Sequence, residues 1–276
     1  MLARHPEAAP LAGGTNVLVQ IKEGHRSETA LLSLKRVSDL NHLSHGDQPL
    51  ATLSIGASVT MKRIAADPWI RQRYSALSTA AGLIGSVQTR NMATVGGNLC
   101  NASPSADTAP PLLAFEARAV LVSARGERVI PLKDFFTGPG STVLQADELL
   151  KEIVVPEPAA RTGSAYVRHI PRAAMDISVV GVAATVTLEA DNRIQQAHIA
   201  LGAVAETPIR AWAAEKILSD QIPTDSLFTE AGEEAAREAR PVDDVRASAA
   251  YRRHLVAILT QDALHQALLN AKYQGD

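Results

Sequence analysis

The chain has only one cysteine, Cys100, among its 276 residues. An internal disulfide is therefore excluded, and so is an iron–sulfur cluster held by four thiolates of this chain. This cysteine usage sets the cytoplasm as the expected location. Long hydrophobic runs are lacking too. No apolar stretch approaches the ~18 residues that span a bilayer, so no membrane span is expected. The opening MLARHPEAAPLAGG has no continuous apolar core and is a poor signal peptide. A large charge of one sign is also missing. The formal net charge of −2 offers no electrostatic footprint for nucleic acid. Of the eight histidines, His42 and His45 have a spacing that could reach one metal, but no third ligand stands near. They read as a surface pair, and no metal site is assigned.

What is present is ordinary for a globular protein: 46% hydrophobic and 20% charged residues. The length suits one large domain or two smaller ones, enough to bury a proper core. The first stretch reads as strand, glycine turn, helix or loop, strand: Ala9 to Ala12 run into Gly13-Gly14-Thr15-Asn16, Val17 to Ile21 follow as a short apolar run, and Ala30 to Leu34 is a second, about strand length. Leu53 to Ala57 is a strand that ends before Thr60, the N-cap of a helix carrying Met61, Ile64 and Ala65, which Pro68 should stop. Leu77, Ala80, Ala81 and Ile84 repeat at helical spacing and predict a helix from Tyr74 to about Ile84.

Further on, Ser105 is a candidate N-cap with Pro110 and Pro111 just inside, which makes Leu112 to Ala117 the helix body. Ala119 to Ser123 and Arg128 to Leu132 predict a hairpin across Arg125-Gly126, and Leu150 to Val155 another strand. Composition changes after Pro158, placing a domain boundary near residue 160. Val179 to Leu188 and Arg193 to Leu201 then form a long hairpin around Asp191-Asn192. Helices follow over Ile209 to Leu218, Asp225 to Arg240 and Ala247 to Ala271, with Pro241 as a stop. Strands first and helices after make this second part α+β.

Two glycine pairs carry the chemistry: Ala12-Gly13-Gly14-Thr15-Asn16 and Thr94-Val95-Gly96-Gly97-Asn98. Paired glycines permit positive φ and close approach, so successive N–H groups can aim at one anion, with a threonine hydroxyl as a further donor. Neither segment fits G-x-G-x-x-G or the P-loop, which removes support for Rossmann and nucleotide-hydrolase readings. Each alone is equally a structural turn.

The run TVGGNLCNASPSAD, with AGGTN upstream, strongly resembles the FAD-binding (medium) subunit of the xanthine dehydrogenase and carbon monoxide dehydrogenase family of molybdenum hydroxylases. DELLKEIVVP, YVRHIPRAAMDIS, TPIRAWAAE and a late YRRHL extend the likeness over nearly the whole chain. The resemblance implies an α+β fold: a FAD-binding domain of the p-cresol methylhydroxylase type, with two α/β subdomains, over residues 1–158. A C-terminal domain over 162–272 would add a three-stranded sheet with helices.

By the same resemblance Leu11, Ala12, Gly13, Gly14, Thr15, Asn16 and Val17 wrap the FAD diphosphate, and Thr94, Gly96, Gly97 and Asn98 form a second loop on the diphosphate and ribitol. Asp107 matches a FAD-contacting aspartate, and it could also charge the start of the following helix. Ile84 and Leu150 match apolar positions packed on the cofactor, and core packing suits both equally. Arg168 stands where a cation lies near the flavin, its plainer reading being a solvated strand arginine. Asp176 and Ile177 match the pair beside the isoalloxazine, with Ile177 over one ring face.

The chain departs from the family in having Asn16 where a serine or an acid is frequent. Little sequence precedes the first glycine pair, and the cysteine-rich insertion of 4-hydroxybenzoyl-CoA reductases is lacking. The implied activity is that of an oxidoreductase subunit: FAD takes electrons from 2Fe–2S clusters of a small subunit and passes them to an external acceptor. A large molybdopterin subunit oxidises the substrate, and the assembly would be a dimer of heterotrimers. No catalytic acid or base is assigned here. The rival readings are a self-contained flavin oxidase of small alcohols or phenols, which often tethers its flavin to a histidine or cysteine, and a cofactor-free scaffold. Cys100 lies close to the second glycine pair, where a buried thiol is its plainer role.

Overall fold

In a computed structural model of the chain, residues 5, 7–46, 52–172 and 175–273 are described. Strand β1 (Ala8–Leu11), helix α1 (Val17–Lys22) and strand β2 (Ala30–Ser33) form a small unit in which the two strands pair in parallel. The apolar run after the first glycine pair is thus helical. Gly14, at φ +73°, makes the turn out of β1, where a side chain would be strained.

Strands β3 (Leu43–His45) and β4 (Thr52–Gly56) follow, then helices α2 (Met61–Ala66), α3 (Pro68–Arg73), α4 (Ser75–Leu83), α5 (Val87–Met92), α6 (Val95–Cys100) and α7 (Ala109–Ala114). Pro68 ends one helix and begins the next. It occupies the first turn of α3, where its missing N–H costs nothing, and the Asp67 carboxylate accepts from Ile70 N–H at 3.0 Å. The helix expected at Leu112 to Ala117 spans Ala109–Ala114 instead. Thr108 rather than Ser105 precedes it, with no side-chain cap bond. The two prolines do sit in its first turn, as their chemistry requires.

The hairpin of β5 (Arg118–Ser123) and β6 (Gly126–Pro131) comes next, then the short pair β7 (Phe136–Gly138) and β8 (Ser141–Thr142), then β9 (Leu149–Pro156). Strands β3, β4, β9, β5 and β6 form one antiparallel sheet in that order. Its apolar face, with Leu53, Ile55, Leu121, Leu150 and Ile153, packs with Met61, Ile64, Leu77, Leu99 and Leu112 of the helices.

The second part holds β10 (Thr162–His169), β11 (Val180–Leu188), β12 (Ile194–Gly202), β13 (Ile209–Arg210), α8 (Trp212–Leu218), α9 (Asp225–Glu238) and α10 (Ala249–Tyr273). Three long antiparallel strands are joined by the two-residue edge strand β13, so the sheet has four strands rather than three. Ile209 and Arg210, expected in a helix, form that strand because they pair with Leu201 and Ala200.

Every residue of β11 is buried, and side-chain alternation explains how. Tyr166, Ala183 and Ala200, in register across three strands, face the N-terminal core. Val182, Ala184, Val186, Ile199 and Leu201 face α8, α9 and α10. A sheet covered on both faces reads as a near-continuous apolar run, which is what the sequence shows here. Helix α10 lies close on β10 because Gly163 has no side chain: a Cβ there would fall 2.1 Å from the Ala267 carbonyl oxygen. No helix among the described residues is long and apolar enough to cross a membrane.

Glu148, just before β9, is held by Arg128 of β6 through two bonds of 2.7 Å and also accepts from Gln145 N–H. The Arg128 bonds hold its carboxyl down at about 2, below the usual carboxylate range. A depressed carboxylate contributes stability that is present above its unfolded value and lost as pH falls towards 2. Melting curves of wild type and Glu148→Gln should therefore differ at neutral pH and converge between pH 4 and pH 2.

Candidate functional site

The two glycine segments meet, but they do different work. A Cβ on Gly13 would fall 2.0 Å from the Met92 carbonyl oxygen and 3.1 Å from the Ala93 Cα. The first segment thus presses on the backbone immediately before Thr94. Around it the N–H groups of Gly13, Gly14, Thr15 and Asn16 have no hydrogen-bond acceptor among the described residues. Leu11, Ala12, Gly13, Gly14, Thr15 and Val17 are all partly exposed and Asn16 is exposed, so these donors stand at the surface. Successive unpaired N–H groups at a glycine turn make a concavity suited to an anion.

The second segment is a helical turn. Thr94 caps α6, its Oγ1 accepting from Gly97 N–H at 3.1 Å. Val95 N–H donates to Val59 O, Gly96 N–H to Ala57 O and Asn98 N–H to Thr94 O. The amides expected to aim at an anion are therefore all satisfied within the protein, and neither glycine has positive φ. Their roles are steric. Gly96 is buried where a Cβ would lie 2.5 Å from Ala57, whereas Gly97 is exposed and a Cβ would meet only Thr94 Oγ1 at 3.0 Å. One lets α6 seat against the end of β4, and the other presents bare backbone at the surface.

Asp107 is the centre of the neighbouring region. Its Oδ1 accepts from the Tyr166 hydroxyl and the Ser178 hydroxyl, each at 2.7 Å, and its Oδ2 from Arg168 Nη1 at 2.6 Å. The carboxylate caps no helix; it joins the first part of the chain to the second. Arg168 is not a solvated strand residue. Its side chain is 6% exposed and also donates to Leu83 O at 2.8 Å. Burial, then the Asp107 charge, holds the Tyr166 phenol well above its ordinary value, so it stays a donor. Gly181 makes room for that hydroxyl, since a Cβ there would lie 2.5 Å from it.

These bonds gather several of the residues singled out from the sequence. Ile84 follows Leu83 and is partly buried, its carbonyl accepting from Arg90 at 2.9 Å. Ile177 precedes Ser178 and is 48% exposed. Asp176 accepts from Ile177 N–H and from Arg172. Asn98 Oδ1 accepts from Thr108 at 2.6 Å, which ties α6 to the residue after Asp107. Beside Ile177 lies an open cleft of about 530 Å³, lined also by Arg172, Asp176, Val245 and Arg246.

Leu150 stands apart, buried in β9 opposite Leu121. The sequence reading missed Tyr166 and Ser178, although both belong to the YVRHIPRAAMDIS run it singled out. Cys100 packs on the N-terminal core, and burial pushes its thiol up to about 12, which keeps it from being a ready nucleophile. His42 and His45 go separate ways: His42 bonds Ser54 and Glu152, and His45 stacks on Trp69 at 4.5 Å.

Likeness to known proteins places the chain among flavoproteins. It belongs to the family described as "FAD binding domain in molybdopterin dehydrogenase", which matches residues 1–158. The "CO dehydrogenase flavoprotein C-terminal domain" matches residues 165–267. The chain is 34% identical over 273 residues to the xanthine dehydrogenase FAD-binding subunit of Escherichia coli O157:H7, covering 98% of this chain and 92% of that protein. It is 31% identical to the glyceraldehyde dehydrogenase medium chain of Sulfolobus acidocaldarius, over 93% of this chain and 89% of that one. Among solved structures, the carbon monoxide dehydrogenase of Hydrogenophaga pseudoflava superposes with a TM-score of 0.92 at 30% identity, covering 98% of this chain and 92% of that one.

Asp107→Ala should leave the buried Arg168 guanidinium unpaired and two hydroxyls without their acceptor. An uncompensated buried charge costs about 3–5 kcal/mol. Chemical denaturation should show a loss of that size, and Tyr166→Phe, which removes one hydrogen bond, a loss of about 1 kcal/mol.

Proposed function

We propose that the chain is the FAD-carrying electron-transfer subunit of a multi-subunit molybdenum hydroxylase. The observation that carries this reading is the row of unpaired N–H groups from Gly13 to Asn16, held rigid against Met92 and Ala93. That row fits a diphosphate: main-chain donors neutralise the charge, and the positive φ of Gly14 turns them towards one point. Leu11, Ala12 and Val17 flank it. Thr94, Gly96, Gly97 and Asn98 supply the adjoining wall, where the bare backbone of Gly97 lets the cofactor lie close and the Thr94 hydroxyl keeps its own hydrogen to donate. Ile84, Asp107, Arg168, Asp176 and Ile177 hold the ring end. Leu150, buried in β9 opposite Leu121, is the apolar position that backs this site from within the sheet.

FAD, when bound, accepts electrons singly and releases them as a pair. The residues of this chain bind and orient it. The Arg168–Asp107 pair fixes the ground beneath the ring, and the aliphatic Ile177 screens one side from water. We assign the FAD-binding domain, of the p-cresol methylhydroxylase type with two α/β subdomains, to residues 1–158 and the C-terminal domain to 162–272. The partners are a large molybdopterin subunit and a small 2Fe–2S subunit, assembled as a dimer of heterotrimers in the cytoplasm, with an external electron acceptor. A flavin oxidase gains nothing from the site, where the one cysteine is a partly buried, protonated thiol.

The purified chain should be yellow and release FAD on denaturation. Gly97→Val should lower the flavin-to-protein ratio about tenfold or more while the apoprotein melts within a few degrees of wild type, because Gly97 is exposed and a Cβ there would meet only Thr94 Oγ1, at 3.0 Å. Unchanged flavin content would remove the glycine wall from the site. Turnover of vanillyl alcohol by the pure chain would favour the oxidase.

A further inference from the structure

Arg252 of α10 is a charged side chain with no place in the site as described so far, yet it is only 4% exposed. A long helix buries leucines and alanines at this spacing, and a guanidinium among them needs acceptors. Its Nη1 donates to Val179 O at 2.7 Å and to Ala203 O at 3.0 Å. Its Nη2 lies 2.7 Å from Asp244 Oδ1, and its Nε has no acceptor among the described residues.

Each of these acceptors leads to the ring end of the site. Val179 follows Ser178, whose hydroxyl bonds Asp107, and lies two residues beyond Ile177. Ala203 has positive φ and its N–H donates to Pro104 O at 2.7 Å, in the segment that leads to Asp107. Asp244 immediately precedes Val245 and Arg246, which line the cleft opposite Ile177. One planar group therefore holds both walls of the cleft, a geometry that a lysine ammonium cannot reproduce. Asp244 is suited to its end of the clamp. Burial works against its charge, but bonds from Arg246 N–H, Arg252 and Ala247 N–H outweigh it and hold the carboxyl at about 2.

We propose that Arg252 is a positioning residue that sets the width of the cleft beside Ile177 and so controls how far solvent reaches the flavin ring. The inference rests on the FAD-binding reading above. The Arg246 charge also acts on Asp176 from across the cleft, but among the described residues Arg252 supplies the hydrogen-bonded tie between the Ile177 segment and the Asp244–Arg246 segment, and without it each can open locally.

The test uses the full chain, with wild type, Arg252→Lys, Arg252→Gln and Asp244→Ala compared for flavin content, melting temperature and quenching of flavin fluorescence by iodide. The quenching constant should rise by about threefold or more in Arg252→Gln and Asp244→Ala, with Arg252→Lys between them and wild type, as the walls sample open forms. Asp244 lies at the surface, so Asp244→Ala decides the matter if Arg252→Gln does not fold. Complete flavin loss from Asp244→Ala at the wild-type melting temperature is the same result in stronger form. Flavin retained in the variants with unchanged quenching overturns the clamp and leaves FAD binding standing, even if melting temperatures fall. Wild-type protein that cannot be loaded with flavin overturns both.

Discussion

The buried carboxylate of Asp107 is the contact on which the arrangement of the two parts depends. It comes from the segment between α6 and α7, and its three partners, Tyr166, Arg168 and Ser178, come from beyond residue 160. A buried ion pair adds little to stability by itself, since desolvation offsets most of its attraction, but removing one member is severe. What the pair supplies is geometry. With both oxygens of Asp107 engaged and Arg168 also anchored on Leu83 O, the end of α4, the approach to α7, the strand β10 and the loop before β11 are fixed relative to one another. Ile84 and Ile177 each sit next in sequence to one of those anchors.

A second tier of constraint is steric. Gly13, Gly96, Gly163 and Gly181 stand where another chain segment comes so close that no side chain fits. None of the four has positive φ, so their value is proximity rather than conformational freedom. Gly14 is the exception and serves the turn. Proximity at Gly13 holds one row of amides steady, and proximity at Gly96 and Gly181 seats α6 and the Tyr166 hydroxyl. The edge of unpaired amides and the polar hub are thereby parts of one continuous backbone framework.

Much of this could be read from residue pattern. Alternation and turn residues located the hairpins at Arg125-Gly126 and Asp191-Asn192, and prolines located the first turn of α7. Where reading failed, a competing interaction explains it. Pro68 ends α2 as the pattern predicts, but the Asp67 cap makes it also the start of α3, a helix the pattern did not show. Val17 to Ile21, read as helix or loop, is the helix that the Gly14 turn leads into. Ile209 and Arg210 follow the pairing of β12 rather than their helical neighbours. The segment Thr94 to Asn98 looked like an open glycine loop because its bonds go to Val59 and Ala57, more than thirty residues earlier, which no local pattern records. Arg168 looked solvated for the same reason: its partner is 61 residues away. Family resemblance named Asp107 and Arg168, but only the coordinates show that they bond to each other.

The strand β11, sealed by side chains on both faces, has a mechanical consequence. A hinge between the two parts would have to tear Ala183 of this strand, with Tyr166 and Ala200 beside it, from the N-terminal core and break the bonds of Asp107 to Tyr166, Arg168 and Ser178. Such a molecule has no soft joint to bend at. Small local openings at the rim remain affordable, but breathing of one half against the other does not. Transfer of an electron weakens steeply with each added ångström of gap, so a relay mounted on this seam would gain from the stiffness: its distances would be set once, at folding.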